Sequence, residues 1–167
     1  MMTLTLKRQN ALNALNLELV RAIQQQVQLF AQTPTLNLAI LTATRGDRAF
    51  CAGGDVKQVM LAAKKAPDTD HTLPDAFFRE EYALNAQIAA LKKPLLSVWD
   101  GIVMGGGAGI SVHGRYRVAS EHALFAMPET SIGFFPDVGA SYFLSNPGGE
   151  LGTYRALTGS RVGAGDP

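Results

Sequence analysis

The feature that constrains the fold most is a run of three glycines, Gly105–Gly107, which follows an apolar stretch beginning at Leu95. Glycine carries no Cβ, so such a run lets another segment or a ligand approach the backbone closely. Two acids follow in an otherwise apolar region, Glu129 and Asp137, each directly after a proline. Solubility does not explain acids in such surroundings. This region therefore predicts the functional site of the chain.

The composition indicates a folded domain. Of the 167 residues, 47% are hydrophobic and 17% are charged, so we expect residues 1–167 to form a single globular domain. The formal net charge of +1 argues against nucleic acid as a partner. A single cysteine, Cys51, excludes a disulfide framework. No N-terminal signal is visible and no apolar run approaches the ~20 residues of a membrane span, so no membrane partner is expected.

Hydrophobic periodicity predicts alternating strands and helices. The predicted strands are Met2–Leu6, Leu38–Thr42, Leu95–Trp99 (leading directly into the triple glycine), Tyr116–Ala119 and Leu124–Phe125. The predicted helices begin at Asn16, at Asp55, at Asp75 (with Phe78, Tyr82, Ile88 and Leu91 on one face) and at about Glu150, ending near Leu157. Lys64–Thr72 predicts a surface loop, and Gly159–Pro167 a connection towards another helix. This alternation is typical of an α/β fold with crossover connections.

The glycine run has a structural and a functional interpretation. The structural one is close packing of a strand on a helix. A dinucleotide site is excluded, because the G-x-G-x-x-G spacing fails and no acid ends a following strand. A second junction of small residues, Phe50–Asp55, favours function, since two junctions can direct one backbone N–H each to the same point. Two such donors stabilise the oxyanion that forms on a thioester or amide.

The acids also have two interpretations. A carboxylate beside a proline is common at helix N-termini. Apolar surroundings, however, disfavour the charged carboxylate and suit a general base that works near neutral pH. Glu80 and Glu81 are further candidates, and at least one of them is expected on a solvated face, paired with Arg79. The three histidines have no metal-ligand spacing, so no metal is expected.

Several motifs in order resemble the enoyl-CoA hydratase/isomerase (crotonase) superfamily: Phe50–Asp55, Met104–Gly107, Met127–Thr130 and Phe135–Gly139. Within that superfamily, Phe77–Tyr82 and Ser111–Gly114 resemble the 3-hydroxyisobutyryl-CoA hydrolase branch. The resemblance covers the chain from about Leu12 to Asp166. It implies an α/β fold, the core of a crotonase-type ββα spiral.

The resemblance implies a role for each matched position. Gly54 and Gly106 would hold the thioester oxygen through their backbone N–H groups. Glu129 would activate water or attack the carbonyl directly, and Asp137 would orient the substrate hydroxyl or its water. Glu81 would line the acyl pocket. The segment implied to flank the CoA adenine consists of Ala52, Gly53, Gly54, Asp55 and Val56, with Lys57 as a phosphate contact.

Gly109 separates two activities of the superfamily. Similar hydratases carry a glutamate three residues after the oxyanion glycine, where this chain has Gly109. Without that second acid, the resemblance favours hydrolysis of a short acyl-CoA thioester, 3-hydroxyisobutyryl-CoA in particular, over hydration. The alternatives are an isomerase or hydratase activity with Glu129 as the only base, and acyl-CoA binding without turnover.

The resemblance also implies the context of the chain. Family members carry a strand ahead of the position of Met1 and helices after that of Pro167, which cover the acyl pocket and build subunit contacts. We therefore expect an N-terminal part that lacks the C-terminal helices, and a homo-oligomer for the complete protein. No cofactor is expected, because coenzyme A is part of the substrate. The implied compartment is the cytoplasm in a bacterium and the mitochondrial matrix in a eukaryote.

Overall fold

The computed structural model of the chain describes residues 1–65 and 72–166. The strands are β1 (Met2–Leu6), β2 (Ala39–Ala43), β3 (Ala49–Cys51), β4 (Leu95–Trp99), β5 (Ile102–Met104), β6 (Tyr116–Ala119), β7 (Leu124–Ala126) and β8 (Val162–Gly163). The α-helices are α1 (Leu17–Gln32), α2 (Val56–Lys65), α3 (Thr72–Ala89), α4 (Gly106–Gly109), α5 (Ala140–Phe143) and α6 (Leu151–Thr158).

The strands form two sheets of four. The first has the order β1-β2-β4-β6 and is parallel throughout. The second has the order β3-β5-β7-β8, in which the pairs β3–β5 and β5–β7 are parallel and β8 runs antiparallel to β7. The chain alternates between the two sheets: β2, β4 and β6 belong to the first sheet, and the strand that follows each of them in sequence, β3, β5 and β7, belongs to the second. The chain therefore advances as a spiral. The predicted α/β class with crossover connections is confirmed.

Helix α1 forms where the sequence predicts it. The Asn16 side chain accepts a hydrogen bond of 2.9 Å from the Leu19 N–H, which caps the first turn. Its buried face consists of residues at three- and four-residue steps, Val20, Ile23, Val27 and Phe30. This face packs against α3 and β1, in a core cluster that also includes residues of both sheets. The core thereby fixes α3 relative to the glycine junctions described below.

Helix α3 differs from its prediction in two respects. It begins at Thr72, so Asp75 lies in its first turn and does not cap it. The predicted apolar face is correct only in part: Ile88 is buried and Phe78 and Leu91 pack against the core, whereas Tyr82 is 38% exposed. The buried residues of the helix are Phe77, Glu81, Leu84, Asn85 and Ile88. Two of these buried residues are polar. Apolar periodicity therefore misplaces part of the face, since it assigns polar residues to solvent.

Three short strands, β3, β5 and β8, are absent from the predicted strands, although the second glycine junction begins within β3. The strand β5 separates β4 from the triple glycine, after a turn at Gly101 with a φ of +81°. In the predicted connection at Gly159–Pro167, residues 162–163 form β8. These three strands have only two or three residues each, and such lengths show little periodicity. The predicted loop Lys64–Thr72 falls mainly on residues 66–71, outside the described part, and its ends belong to α2 and α3.

Candidate active site

Two strand-to-helix junctions meet. Strand β3 leads through residues 52–55 into α2, and β5 leads through Gly105 into α4. A Cβ built on Gly106 would lie 3.2 Å from the Gly54 nitrogen, and one built on Gly53 would lie 3.8 Å from the Gly106 nitrogen. The two backbones therefore approach to van der Waals distance. The structure brings Gly54 and Gly106 together, as the sequence predicts.

The backbone N–H groups of Gly54 and Gly106 do not take part in the hydrogen bonds of a sheet or a helix. Leu15 bridges Gly53 and Asp55: its N–H donates to the Gly53 oxygen at 2.8 Å, and its carbonyl accepts from the Asp55 N–H at 2.7 Å. The N–H of the intervening Gly54 then points to the opposite side. Gly106 begins α4, so its N–H has no acceptor within the helix. No backbone acceptor for either N–H exists among the described residues.

Two carboxylates lie against the same glycines. A Cβ on Gly105, whose φ is +47°, would lie 2.8 Å from Glu129 Oε1, and one on Gly106 would collide with Glu81 Oε1. Glu129 is 8% exposed and Glu81 is 2% exposed. Within the described ranges, Glu129 Oε2 and Glu81 Oε1 have no hydrogen-bond partner. Both side chains thus bring unused hydrogen-bonding capacity to the glycine junctions.

Burial changes the protonation of both acids. It raises the pKa of Glu129 from 4.5 to about 7, and the negative charge of Asp137 adds to the effect. The pKa of Glu81 rises to about 8, mainly by burial and further by the charges of Asp137 and Glu129. Near neutral pH, Glu129 is therefore poised to accept a proton, whereas Glu81 is mostly protonated and can donate a hydrogen bond.

Asp137 is held by a tyrosine that the sequence analysis placed on an apolar helix face. The Tyr82 hydroxyl donates a hydrogen bond of 2.7 Å to Asp137 Oδ2. Burial raises the pKa of Asp137, and the bond from Tyr82 opposes that rise because it favours the charged carboxylate. Since 55 positions separate the two residues, no local pattern could have revealed the pair.

A cavity of about 560 Å³ opens beside Asp137. One wall is α3, which contributes Tyr82 and Asn85, and the opposite wall is the segment from Phe135 to Ser141. Most of the lining is apolar, and the volume of the cavity is within the range of small-molecule sites. Asn85 was also missed by the sequence analysis, although its position one turn after Glu81 could have identified it.

The segment predicted to flank the CoA adenine is only partly free for that role. Asp55 Oδ2 accepts a hydrogen bond of 2.7 Å from Arg8, and its other oxygen accepts one of 3.3 Å from the Gln58 N–H in the first turn of α2. Val56 is exposed, and Ala52 is half-buried. The contact of Ala52, Gly53, Asp55 and Val56 with the adenine stays a prediction.

Two further residues serve structural roles. Glu80 is the surface acid of the pair on α3, but its partner is Arg21 of α1 and not Arg79 as predicted, with bonds of 2.6 and 2.7 Å. Cys51 is fully buried, and burial raises the pKa of its thiol to about 12. Such a thiol is protonated at neutral pH and is therefore a poor nucleophile.

The described part of the chain, residues 1–65 and 72–166, offers neither a metal site nor a membrane-spanning helix. In these ranges, no group of three or more His, Cys, Asp or Glu side chains is arranged to hold a metal ion. His113 Nε2 lies 2.8 Å from the Val138 oxygen, His122 is exposed, and His71 falls outside the described residues. No helix in these ranges has both the length and the apolar character that crossing a bilayer requires.

Comparison with known proteins places the chain in a family. The family model for enoyl-CoA hydratase/isomerase matches residues 1–167. Mitochondrial 3-hydroxyisobutyryl-CoA hydrolase of Xenopus laevis is 53% identical over 98% of this chain. An enoyl-CoA hydratase structure from Rhodobacter sphaeroides is 39% identical, with a TM-score of 0.91 over 98% of this chain. A carnitinyl-CoA dehydratase structure from Mycobacterium thermoresistibile is 40% identical, also with a TM-score of 0.91 over 98% of this chain.

The chain spans 41% of the length of the Xenopus laevis relative, and 48% and 47% of the two solved chains. Over that length the likeness extends to almost every described element, including both sheets of the spiral. The predicted crotonase-type ββα spiral core is therefore confirmed. The match of the family model along the whole chain, together with these relatives, shows that the chain belongs to the enoyl-CoA hydratase/isomerase family.

Proposed function

We propose that this protein hydrolyses a short acyl-CoA thioester, 3-hydroxyisobutyryl-CoA, to 3-hydroxyisobutyrate and CoA. The observation that carries the proposal is the buried Glu129 carboxylate, which lies against Gly105 at the junction of Gly54 and Gly106, whose backbone N–H groups have no backbone acceptor among the described residues. The 53% identity to a relative named 3-hydroxyisobutyryl-CoA hydrolase supports the substrate. Coenzyme A enters as part of that substrate, so the proposal includes no separate cofactor.

In the proposed reaction the thioester oxygen accepts hydrogen bonds from the Gly54 and Gly106 N–H groups. Glu129 takes a proton from water as the water oxygen attacks the carbonyl carbon, and the two N–H groups stabilise the oxyanion that forms. The C–S bond then breaks, and the leaving thiolate takes up the proton to give CoA. In a second route Glu129 itself attacks the carbon and the C–S bond breaks, which releases the CoA thiolate and leaves an anhydride. Water then cleaves the anhydride to the free acid and Glu129, and the proton released goes to the thiolate. Both routes consume one water per thioester.

The surroundings of Gly109 support hydrolysis over hydration. A Cβ on Gly109 would lie 2.6 Å from the Val138 Cβ and 3.0 Å from Asn85 Oδ1. The place that a second acid would need at this position is therefore filled by Val138 and Asn85. Of the two acids that lie against the glycine junction, Glu81 is mostly protonated near neutral pH, which leaves Glu129 to accept a proton. Transfer of a single proton from water suits such a site better than hydration by two acids.

Release of free thiol tests the proposal. The purified protein is incubated with 3-hydroxyisobutyryl-CoA, and a thiol-reactive chromophore records the appearance of CoA, with Glu129→Gln as the matched variant. Hydrolysis by the wild type and its loss in the variant are expected. Hydration of an enoyl-CoA without thiol release would overturn the proposal in favour of another activity of the family. Binding of acyl-CoA without any turnover would favour a binding protein.

The same proposal covers compartment and assembly. The Xenopus laevis relative is named a mitochondrial protein, which supports the mitochondrial matrix if the source is a eukaryote; for a bacterium the proposed compartment is the cytoplasm. Self-association is supported by Phe135, which is 63% exposed beside the site. Light scattering of the purified protein measures the assembly, and a strictly monomeric protein would contradict it.

A further inference from the structure

Asn85 is a buried amide without a partner. Its side chain is 5% exposed, and neither Nδ2 nor Oδ1 has a hydrogen-bond partner among the described residues. An unpaired polar group at this depth costs on the order of 1–3 kcal/mol. The amide has no structural contact in the described chain that offsets this cost. Such a buried, unpaired group in the wall of a cavity is a feature of functional sites.

Asn85 lies one helical turn away from the predicted oxyanion site. On α3, Glu81 and Asn85 are four residues apart on the buried face, and on α4, Gly106 and Gly109 are three residues apart. Glu81 Oε1 lies against Gly106, and Asn85 Oδ1 lies against Gly109. Glu81 and Asn85 therefore contact positions of α4 that are three residues apart. Since a helix rises about 1.5 Å per residue, Gly109, against which Asn85 Oδ1 lies, is offset from Gly106 by roughly 4.5 Å along α4.

An offset of this size is comparable to the reach of the proposed substrate from its carbonyl oxygen to its hydroxyl group. If the thioester oxygen binds at Gly54 and Gly106, the acyl chain extends into the cavity that Asn85 and Asp137 line. The hydroxyl is carried two carbons beyond the carbonyl carbon. A carboxamide both donates and accepts hydrogen bonds, as a hydroxyl does, whereas an ionised carboxylate only accepts. Asn85 can therefore satisfy both functions of the hydroxyl within an otherwise mostly apolar wall.

We propose that the Asn85 carboxamide binds the hydroxyl group of the acyl chain and makes the site selective for hydroxylated over unsubstituted acyl-CoA thioesters. The inference rests on the proposed thioester hydrolysis and adds to it the group that recognises the acyl chain. The selectivity arises because an acyl chain without the hydroxyl leaves both polar atoms of Asn85 buried and unpaired.

A cycle of two substrates and two proteins tests the inference. The wild type and Asn85→Leu, which has nearly the same shape without the polar atoms, are each assayed with 3-hydroxyisobutyryl-CoA and isobutyryl-CoA. We expect Asn85→Leu to lower kcat/KM for the hydroxylated substrate by about 10- to 100-fold and to leave the value for isobutyryl-CoA unchanged or higher. The ratio of the two values therefore falls. Gln87→Leu, a similar change on the same helix, is the control and should keep the wild-type ratio.

A structural role of Asn85 predicts a different result. If the amide only supports the fold, kcat/KM for both substrates falls by the same factor and the ratio is unchanged, which overturns the inference. Asn85→Ser, which keeps a donor and an acceptor, is expected to retain part of the selectivity, and it replaces the leucine variant if circular dichroism shows that variant to be unfolded. Equal effects of the serine variant on both substrates overturn the inference in the same way.

Binding measurements separate this inference from the proposed hydrolysis. Isothermal titration calorimetry gives the Kd of both acyl-CoA compounds for each protein without turnover. If the wild type binds the hydroxylated compound more tightly and this preference disappears in Asn85→Leu, the inference is supported. It is supported even if no thiol is released, because the absence of thiol release overturns only the proposed hydrolysis. Equal affinity of the wild type for the two compounds, or binding of neither, overturns the inference itself.

Discussion

Glu80 and Glu81 are neighbours on α3, yet the pKa values of these two glutamates shift in opposite directions, because they lie on opposite faces of the helix. On the outward face, Arg21 donates two hydrogen bonds to Glu80, and this pairing lowers the pKa of the carboxyl. On the inward face, burial raises the pKa of Glu81 to about 8, and the charges of Asp137 and Glu129 raise it further. Among the described residues, neither Glu81 nor Glu129 forms an ion pair.

The difference shows that packing, and not residue type, separates a structural acid from a functional one. The outward acid is stabilised in its charged form by a cation and by water. The inward acids share a region without a paired cation, so they hold protons near neutral pH and can exchange them with a substrate. If this comparison is correct, variants of the inward face change catalysis and its pH dependence, while variants of the outward face change neither.

The largest effect is expected from Glu129→Gln. The amide keeps the shape of the side chain but cannot accept the proton from water, so the rate of thioester hydrolysis should fall by ~10²–10⁴-fold. Thiol release under saturating substrate measures it. The outward variant Glu80→Gln is the matched control for the chemical change. Near-normal hydrolysis by Glu129→Gln would remove Glu129 from the catalytic role.

A loss almost as large is expected when the backbone donor at Gly106 is disturbed. In Gly106→Val the new side chain would collide with Glu81 Oε1 and crowd Leu15, so the N–H must move. Loss of one oxyanion donor costs roughly 10²–10³ in rate. Gly148→Val is the control, because a Cβ at Gly148 meets no atom within 4 Å. A normal rate in Gly106→Val, with the protein folded, would contradict the oxyanion assignment.

Glu81→Gln tests the inward face through stability. The pKa of Glu81 is raised from 4.5 to about 8, so its favourable contribution to folding is present below pH 4.5 and is lost as pH rises through 8. Since one pKa unit corresponds to about 1.4 kcal/mol, the free energy of unfolding should fall by a few kcal/mol over this window. Chemical denaturation across the window measures the change. In Glu81→Gln this pH dependence should flatten, and an unaltered slope would contradict the raised pKa.

Tyr82→Phe should have a smaller effect that appears in the pH profile. The hydroxyl of Tyr82 stabilises the charged form of Asp137, so its removal raises the pKa of Asp137 further. If ionised Asp137 is required, the acidic limb of the kcat/KM profile moves to higher pH, and the loss at neutral pH is about tenfold, the value of one hydrogen bond to a charged group. An unshifted profile with a uniformly lower rate would indicate a packing role instead.

The smallest effect is expected from Glu80→Gln, which breaks the outward ion pair. Hydrolysis and its pH profile should match the wild type, because the Arg21 pair lies on the surface, away from the cavity. The lowered pKa of Glu80 places its stabilising contribution above pH 4.5, and this contribution is lost as pH falls below that value. The pH dependence of this contribution is opposite in sign to that of Glu81, whose contribution is lost as pH rises. A loss of activity in Glu80→Gln comparable to that of the inward variants would contradict the distinction between the outward and inward faces of α3.

Local sequence determined the elements whose causes are local. The cap at Asn16, the apolar steps along α1 and the apolar runs of β1, β2 and β4 lie in contiguous residues, so their prediction was confirmed. The linked glycine and acid motifs were long enough to identify the crotonase core. Glu129 could be selected from sequence because a lone acid within an apolar segment departs from the expected pattern.

Tertiary structure decided the contacts of the α3 residues that face the site. The residue pattern alone could not separate Glu80 from Glu81, and only the family resemblance selected Glu81, because the partners of the two acids, Arg21 and Gly106, are distant in the chain. The bond from Tyr82 to Asp137 was hidden for the same reason, and Asn85 because periodicity assigns an amide to solvent. Periodicity reports hydrophobicity along one segment, whereas pKa and hydrogen-bond partners depend on groups that only folding brings together.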